Sequence, residues 1–420
     1  MKSIARKYLA GLILLAAIAA PIQLAAQSQQ GHNQGHARYR VKILGTLGGT
    51  SSSPNGLNNK HWATGQSNLA GDETTHAVIW QGENWAIEDL GTLGGPNSAV
   101  LWSVNDDRGL TAGVSDTSNT DPYDENFCGL SPSGSDPYIC LGFLWKNGRM
   151  TPLATLGGNN SYAFEVNDLG QVAGIAENST HDPNCIPPQV LDYEAVIWGP
   201  KEGEIHQLPP LPGDAVAGAS AINDKGQAVG GSNPVCMPIS GTVHAVLWEK
   251  GSVTDLGNLG GALLSIAFGI NEQGHVVGFS DLAGDVYTHA FLWTKHKGMQ
   301  DLGTVSGDVA SYAYGINSKD QVVGDSCPEE GSENGCHAFL WENGVMTDLN
   351  TLIPPNSPVY LTVSNQINDE GEISCTACVI SNGACTSEKP PVLLIPIRGG
   401  SDSEADSSAA QVGGNPAGAR

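Results

Sequence analysis

One six-residue phrase, returning at a nearly fixed interval, limits what this chain can fold into. Leu90-Gly91-Thr92-Leu93-Gly94-Gly95 recurs at 44–49, 153–158, 208–213 and 256–261, with weaker copies at 302–307 and 349–354. Their first positions lie 46, 63, 55, 48, 46 and 47 residues apart, so the base period is near 46 and the second and third units carry insertions. A period of this size means one supersecondary unit used repeatedly. Three more signals keep phase with it. An apolar residue and an Asn open a turn at Val104-Asn105, Val166-Asn167, Ile222-Asn223, Ile270-Asn271, Ile316-Asn317 and Ile367-Asn368, with Leu57-Asn58 as a degenerate first copy. A short run like Val276-Val277-Gly278 comes next. An apolar stretch then ends in Trp80, Trp145, Trp198, Trp248, Trp293 or Trp341, usually with two residues between it and a turn Gly.

Each unit reads as four strands, A to D. In the sixth these are Ser311–Ile316, Gln321–Gly324, His337–Trp341 and Val345–Leu349. Asn-x-x-Gly suits the A–B hairpin and Trp-x-x-Gly the C–D hairpin, because Asn starts a turn and Gly accepts the positive φ that closes it. Four short strands per period is the pattern of a propeller blade. The seventh unit stops at Val392-Leu393-Leu394-Ile395 without a D strand, while Tyr39 to Leu47 has a D-type pattern and no blade of its own. The expected fold is all-β: a seven-bladed β-propeller over 39–398 whose N-terminal strand closes the last blade and leaves no open sheet edge between the termini. An open β-solenoid array is the competing architecture.

The strings His289-Ala290-Phe291-Leu292-Trp293 and His337-Ala338-Phe339-Leu340-Trp341, with Asp-Leu-Gly-x-Leu-Gly-Gly and Ile-Asn-x-x-Gly, resemble the extracellular HAF repeat family. The resemblance spans nearly all of 39–398. It implies an exported repeat protein and supplies no catalytic residues. Leu141, Glu194 and Pro390 stand where the repeat has His, so that His is not required in every blade.

The chain begins with Lys2, Arg6 and Lys7, an apolar Ala-rich run to Leu24, and the small pair Ala25-Ala26 before polar residues. This layout predicts a signal peptide over 1–26, with Pro21 and Gln23 interrupting a run already short for a membrane anchor. A flexible linker is expected over 27–38 and a disordered Ser/Gly/Ala/acid-rich tail over 399–420. The mature protein is expected to be secreted or periplasmic, a monomer, with no membrane span. Only 19 Lys and Arg stand against 43 Asp and Glu, a formal charge of −24. Nucleic acid and anionic membranes are therefore not expected partners, since binding them takes clustered cations.

Antiparallel neighbours put the A–B and C–D turns on one end of the ring and the B–C and D–A loops on the other. The first pair are tight and leave little room for recognition. The B–C loops hold the insertions, near Asp116–Cys140, Glu177–Tyr193 and Asn233–Val243, and long loops on a rigid scaffold are where binding usually resides. Candidate ligand-binding residues on that face are Asn97, Asn159, Asn160, Asp214, Asp308 and Asn356. Asp116, Asn119, Asp121, Asp124 and Glu125 crowd one insertion; such an oxygen-rich set suits Ca²⁺, yet its spacing matches no EF-hand and a solvated acidic loop is preferred. Otherwise no cofactor is expected.

Eight of the nine Cys fall in B–C connections. Cys128-Cys140, Cys327-Cys336 and Cys378-Cys385 would each close one loop, and Cys185-Cys236 would link adjacent blades. Cys375 replaces a strand-B Gly and reads as a buried free thiol. The strand-C His series (His76, His244, His289, His337) sits too far from the axis to share a metal, so a structural hydrogen bond is preferred. The Trp series and Phe164, Phe268, Tyr314 and Trp102 read as packing between blades. The functional expectation is a non-catalytic binding or scaffold protein whose B–C/D–A face meets a glycan or an extracellular or envelope protein. The alternative is an extracellular polysaccharide hydrolase or lyase using loop carboxylates, although Asp214 and Asp308 should lie roughly 12–15 Å apart, wide for a glycosidase pair.

Overall fold

A computed structural model of the chain describes residues 37–101, 108–132, 134, 136–236, 242–331 and 335–397. The expected leader (1–26), linker residues 27–36 and tail (399–420) lie outside these, as do Trp102 and the Val104-Asn105 turn.

Seven antiparallel sheets follow one another along the chain. The sixth is representative: A is Ala310–Ile316, B Val322–Cys327, C His337–Glu342 and D Val345–Asp348, paired in the order A-B-C-D. In the seventh, Val359–Ile367 and Ile373–Ser381 supply A and B, Pro391–Pro396 supplies C, and Tyr39–Ile43 supplies D. Tyr39 lies opposite Pro396 and Ile43 opposite Val392 in that closing pair. Arg38 then forms an ion pair with Glu342 of the sixth blade, and its N–H donates to Leu352 O at 2.8 Å. The ring is a seven-bladed β-propeller closed by its first strand.

The core lies between blades. Phe339 packs with Val277, Ala290 and Leu292 of the fifth blade. Its neighbour Leu340 packs with Leu361, Ile373 and Leu394 of the seventh. Successive side chains of a strand face opposite sides, so the unbroken apolar run Ala338 to Trp341 fills two seams at once. Trp80, Trp198 and Trp248 close their seams by donating the indole N–H to Gly45, Ala154 and Pro209 carbonyls, at 2.7–2.8 Å, in the segment that follows the preceding blade's D strand. These three Trp are thus structural.

Two local rules repeat around the ring. The C–D hairpin of the sixth blade turns through Asn343 (φ 53°) and Gly344 (φ 82°), the paired left-handed residues of a type I′ turn. Strand B carries a Gly because strand A bulges toward it: a Cβ on Gly324 would lie 1.8 Å from Tyr312 O. In the seventh blade that position is Cys375, buried and unpaired, and there strand A shifts register twice to make room.

Candidate functional site

The four expected disulfides are present: Cys128–Cys140, Cys185–Cys236, Cys327–Cys336 and Cys378–Cys385. The inserted loops are shorter than expected from sequence. Strands continue into them, since Thr111–Thr120 pairs with Tyr138–Lys146 and Val172–His181 with Leu191–Trp198. Under the remaining loops lies a satellite core of Leu130, Cys140, Tyr162, Tyr193, Val216 and Cys236, which joins blades 2, 3 and 4.

A buried polar network completes that junction. Glu125, from the blade-2 insertion, accepts the N–H groups of Val190 and Leu191 in blade 3, both at 2.8 Å. Asn160 donates to Asp121 at 3.1 Å and to Glu177 at 3.1 Å, and its Oδ1 accepts Cys140 N–H at 3.0 Å. Gln189 donates to Glu177 at 2.9 Å and to Glu125 at 3.3 Å. Burial pushes the Glu177 carboxyl up to about 8, and the charge of Glu125 adds to that shift. Asp116 sits apart from this group, accepting both the N–H and the side-chain amide of Asn97. Burial raises it to about 7, helped by Asp136.

These contacts relocate most of the residues singled out from sequence. Asn97 and Asn159-Asn160 lie inside the A strands Gly94–Ala99 and Gly157–Val166 and not in loops before them. Asn97 and Asn160 are buried and face protein, not solvent. Asp214 accepts Ser232 Oγ at 2.6 Å and His244 Nδ1 at 3.0 Å. Asp308 lies 3.6 Å from His337 Nε2 and its side chain is 3% exposed. Asn356 is exposed on its loop. Of the acidic set, Asp121 and Glu125 share the network, Asp116 belongs to another, and Asn119 and Asp124 point outward. Among the described residues these acids do not bring three carboxylate oxygens within 4.8 Å of one another. The His series does pair within blades: His76 with Asp89 at 2.9 Å and His289 with Asp301 at 2.8 Å.

The opposite face holds what sequence reading missed. The tight A–B turns do leave room, because they surround the channel mouth: a cavity of about 180 Å³ is lined by Asn58, Glu165, Asn167, Asp224, Asn271 and Asp369, among others. Each turn Asn does two jobs there. Asn317 Oδ1 accepts Lys319 and Gln321 N–H at 3.0 and 3.1 Å, which fixes its own turn. Its Nδ2 donates to Asn368 O of the next blade at 3.1 Å. The same step links Asn167 to Asn223, Asn223 to Asn271, Asn271 to Asn317 and Asn368 to Asn58, at 2.9–3.1 Å. The signal was the invariance of Asn in all seven units, more than a turn alone requires. Glu165 also faces this channel, raised to about 8 by burial.

The architecture is that of a closed β-propeller with one face built up by disulfide-locked loops. Residues 213–412 match a family described as a protein of unknown function (DUF3466). No curated protein matches the chain in sequence. Among solved structures, the β-propeller domain of the trilobed protease from Pyrococcus furiosus, described as having an open velcro topology, aligns with a TM-score of 0.50 at 10% identity, over 86% of this chain and 99% of that one. The acylaminoacyl peptidase of Pyrococcus horikoshii gives 0.47 at 10%, over 81% and 52%. A gluconolactonase from Xanthomonas campestris gives 0.37 at 8%, over 85% and 89%. At 10% identity the likeness to the first of these is one of fold alone. Closure differs from the first of these in kind, since here Tyr39–Ile43 pairs with Pro391–Pro396.

Proposed function

We propose that this is an exported, non-catalytic binding or scaffold protein of the HAF repeat type, engaging a glycan or a surface protein through the B–C/D–A face. The observation that carries the reading is the junction of blades 2 to 4. Two disulfides, a satellite core and the Glu125–Glu177–Asn160 network hold the inserted loops as one rigid platform. Tyr123 and Ile186 stand on it, 45% and 41% exposed, and Leu263 and Tyr287 are exposed on the neighbouring fifth blade. Large apolar side chains held out on rigid loops favour contact with a partner. Glu125, Glu177 and Asp214 on this face are engaged by protein partners. Four disulfides favour an oxidising compartment, and no helix among the described residues is long and apolar enough to cross a membrane. Tyr123→Ala with Ile186→Ala should abolish capture of the partner from envelope extracts or a glycan array while leaving the melting temperature unchanged; undiminished capture would overturn the reading.

One contact favours the polysaccharide-cleaving alternative. His337 Nδ1 lies 2.6 Å from Tyr360 OH while its Nε2 approaches Asp308, an arrangement able to pass a proton. That reading requires new reducing ends or unsaturated products from a polysaccharide panel, lost on His337→Ala. Folded protein that yields no product excludes it.

A further inference from the structure

The fifth C–D turn breaks the repeat. In blades 2, 4 and 6 the strand-C Trp stands three residues before the turn Gly, as in Trp341-Glu342-Asn343-Gly344, but Trp293 is followed by Thr294-Lys295-His296-Lys297-Gly298, two residues longer. The extra length carries three exposed basic residues on a chain of formal charge −24. No carboxylate pairs with Lys295, His296 or Lys297 among the described residues.

This turn forms one wall of a cleft of about 400 Å³ between blades 5 and 6, within the range of small-ligand sites. His296 and Lys297 face Lys319 and His275 across it, with Gln300, Thr294 and Asn343 supplying uncharged donors and acceptors. Its one carboxylate, Asp320, is engaged by His275 at 2.8 Å and by the Asn271 amide at 2.9 Å. Glu342, beside Asn343, is held by Arg38. Lys319 reaches the Asp369 carbonyl, a contact that leaves its charge unneutralised. Trp341 lines the cleft as well. Trp80, Trp198 and Trp248 are almost fully buried with their indole N–H groups bonded to the preceding blade, whereas Trp341 is half-buried and makes no such bond.

We infer that this cleft binds an acidic saccharide residue, a hexuronate unit of a larger polymer. The flat face of Trp341 suits the C–H face of a pyranose, with its N–H as a polar handle. Lys297, His296 and Lys319 are placed for the carboxylate, and the amides and Thr294 for the hydroxyls. The site works on an acidic protein because charges beyond about 8 Å are screened at physiological salt, which leaves the local cations in control. It lies on the A–B/C–D face, away from the loop platform, and so does not depend on that platform's role.

The test is titration of the full-length mature protein with a galacturonate oligomer, followed by tryptophan fluorescence and calorimetry, beside a neutral cello-oligomer of equal length. The uronate should bind and the neutral oligomer should bind at least about tenfold more weakly, with affinity falling as salt rises. Lys297→Glu should reduce uronate affinity by about tenfold or more without changing the melting temperature. Trp341→Phe, which retains a ring in the seam, should weaken it less and remove the fluorescence response. Tyr123→Ala on the platform should leave uronate binding intact. Equal affinity for the two oligomers, no binding of either, or wild-type affinity in Lys297→Glu would each overturn the assignment.

Discussion

Asn317 shows how much one side chain does in this fold. It is 3% exposed, and its amide meets four partners: two N–H groups of its own turn, Gln321 Oε1 at 2.8 Å and the Asn368 carbonyl in the next blade. Replacing it by Ala leaves buried donors and acceptors unmade, each worth about 1–3 kcal/mol. Asn317→Ala should therefore lower unfolding stability by about 3 kcal/mol or more. Asn317→Asp keeps the turn acceptor, loses the interblade donor and should fall between. Chemical denaturation measures both, and an Ala variant as stable as wild type would show that the belt is incidental. At this scale the sequence was half legible. Asn at a turn predicts the Oδ1 contacts, which are local. The Nδ2 contact spans 51 positions and follows only from ring closure. The partners of Asp214, Asp308, Asn97 and Asn160 were illegible for the same reason: a polar residue near a loop looks available until its long-range contacts are in place.

Among the elements, the closing strand has the clearest consequence. Tyr39–Ile43 covers the outer edge of Pro391–Pro396, Tyr39 is 1% exposed, and Arg38 ties the strand to the sixth blade. A chain starting after Ile43 would leave Pro391–Pro396 as an open edge, a template for pairing with another chain. It should melt at lower temperature and self-associate in size-exclusion chromatography. A monodisperse truncated chain with unchanged melting would contradict the closure. The strands themselves were legible because each blade restates the same alternation, turn and Trp. The inserted segments were not. Nothing repeats in 121–137 or 182–190, so their strand extensions and buried network had no internal template.

For the whole molecule the buried acids set the response to pH. Glu165 and Glu177 are raised from 4.5 to about 8, and Asp116 from 3.8 to about 7, in each case chiefly by burial. The folded state thus holds these protons more tightly than the unfolded chain. Their contribution to stability is complete below pH 3.8–4.5 and is lost as pH rises through 7 to 8. Growing net negative charge acts in the same direction. The opposite sign holds for Glu342, lowered chiefly by its hydrogen bond from Arg38, and for Asp301, lowered by hydrogen bonds from His289 and Gly303 that outweigh its burial. Their contribution is present above the ordinary carboxylate range and lost as pH falls through their folded values. The melting temperature should peak in mildly acidic buffer and decline steadily from pH 5 to pH 9. Glu177→Gln should flatten part of that decline, while a rise in stability from pH 5 to pH 9 would contradict the assignment.

The sequence by itself determined the blade, the number of blades, the closure and the three local cysteine pairs, because each is written in a local pattern that recurs or in a short loop that a disulfide can span. The tertiary structure alone decided which polar side chains stay free to act. Closing the ring brings residues dozens of positions apart into hydrogen-bond range. It buries the acids of the blade 2–3 junction, strings the turn asparagines into a belt around the channel, and leaves the basic turn of blade 5 facing an open cleft beside Trp341.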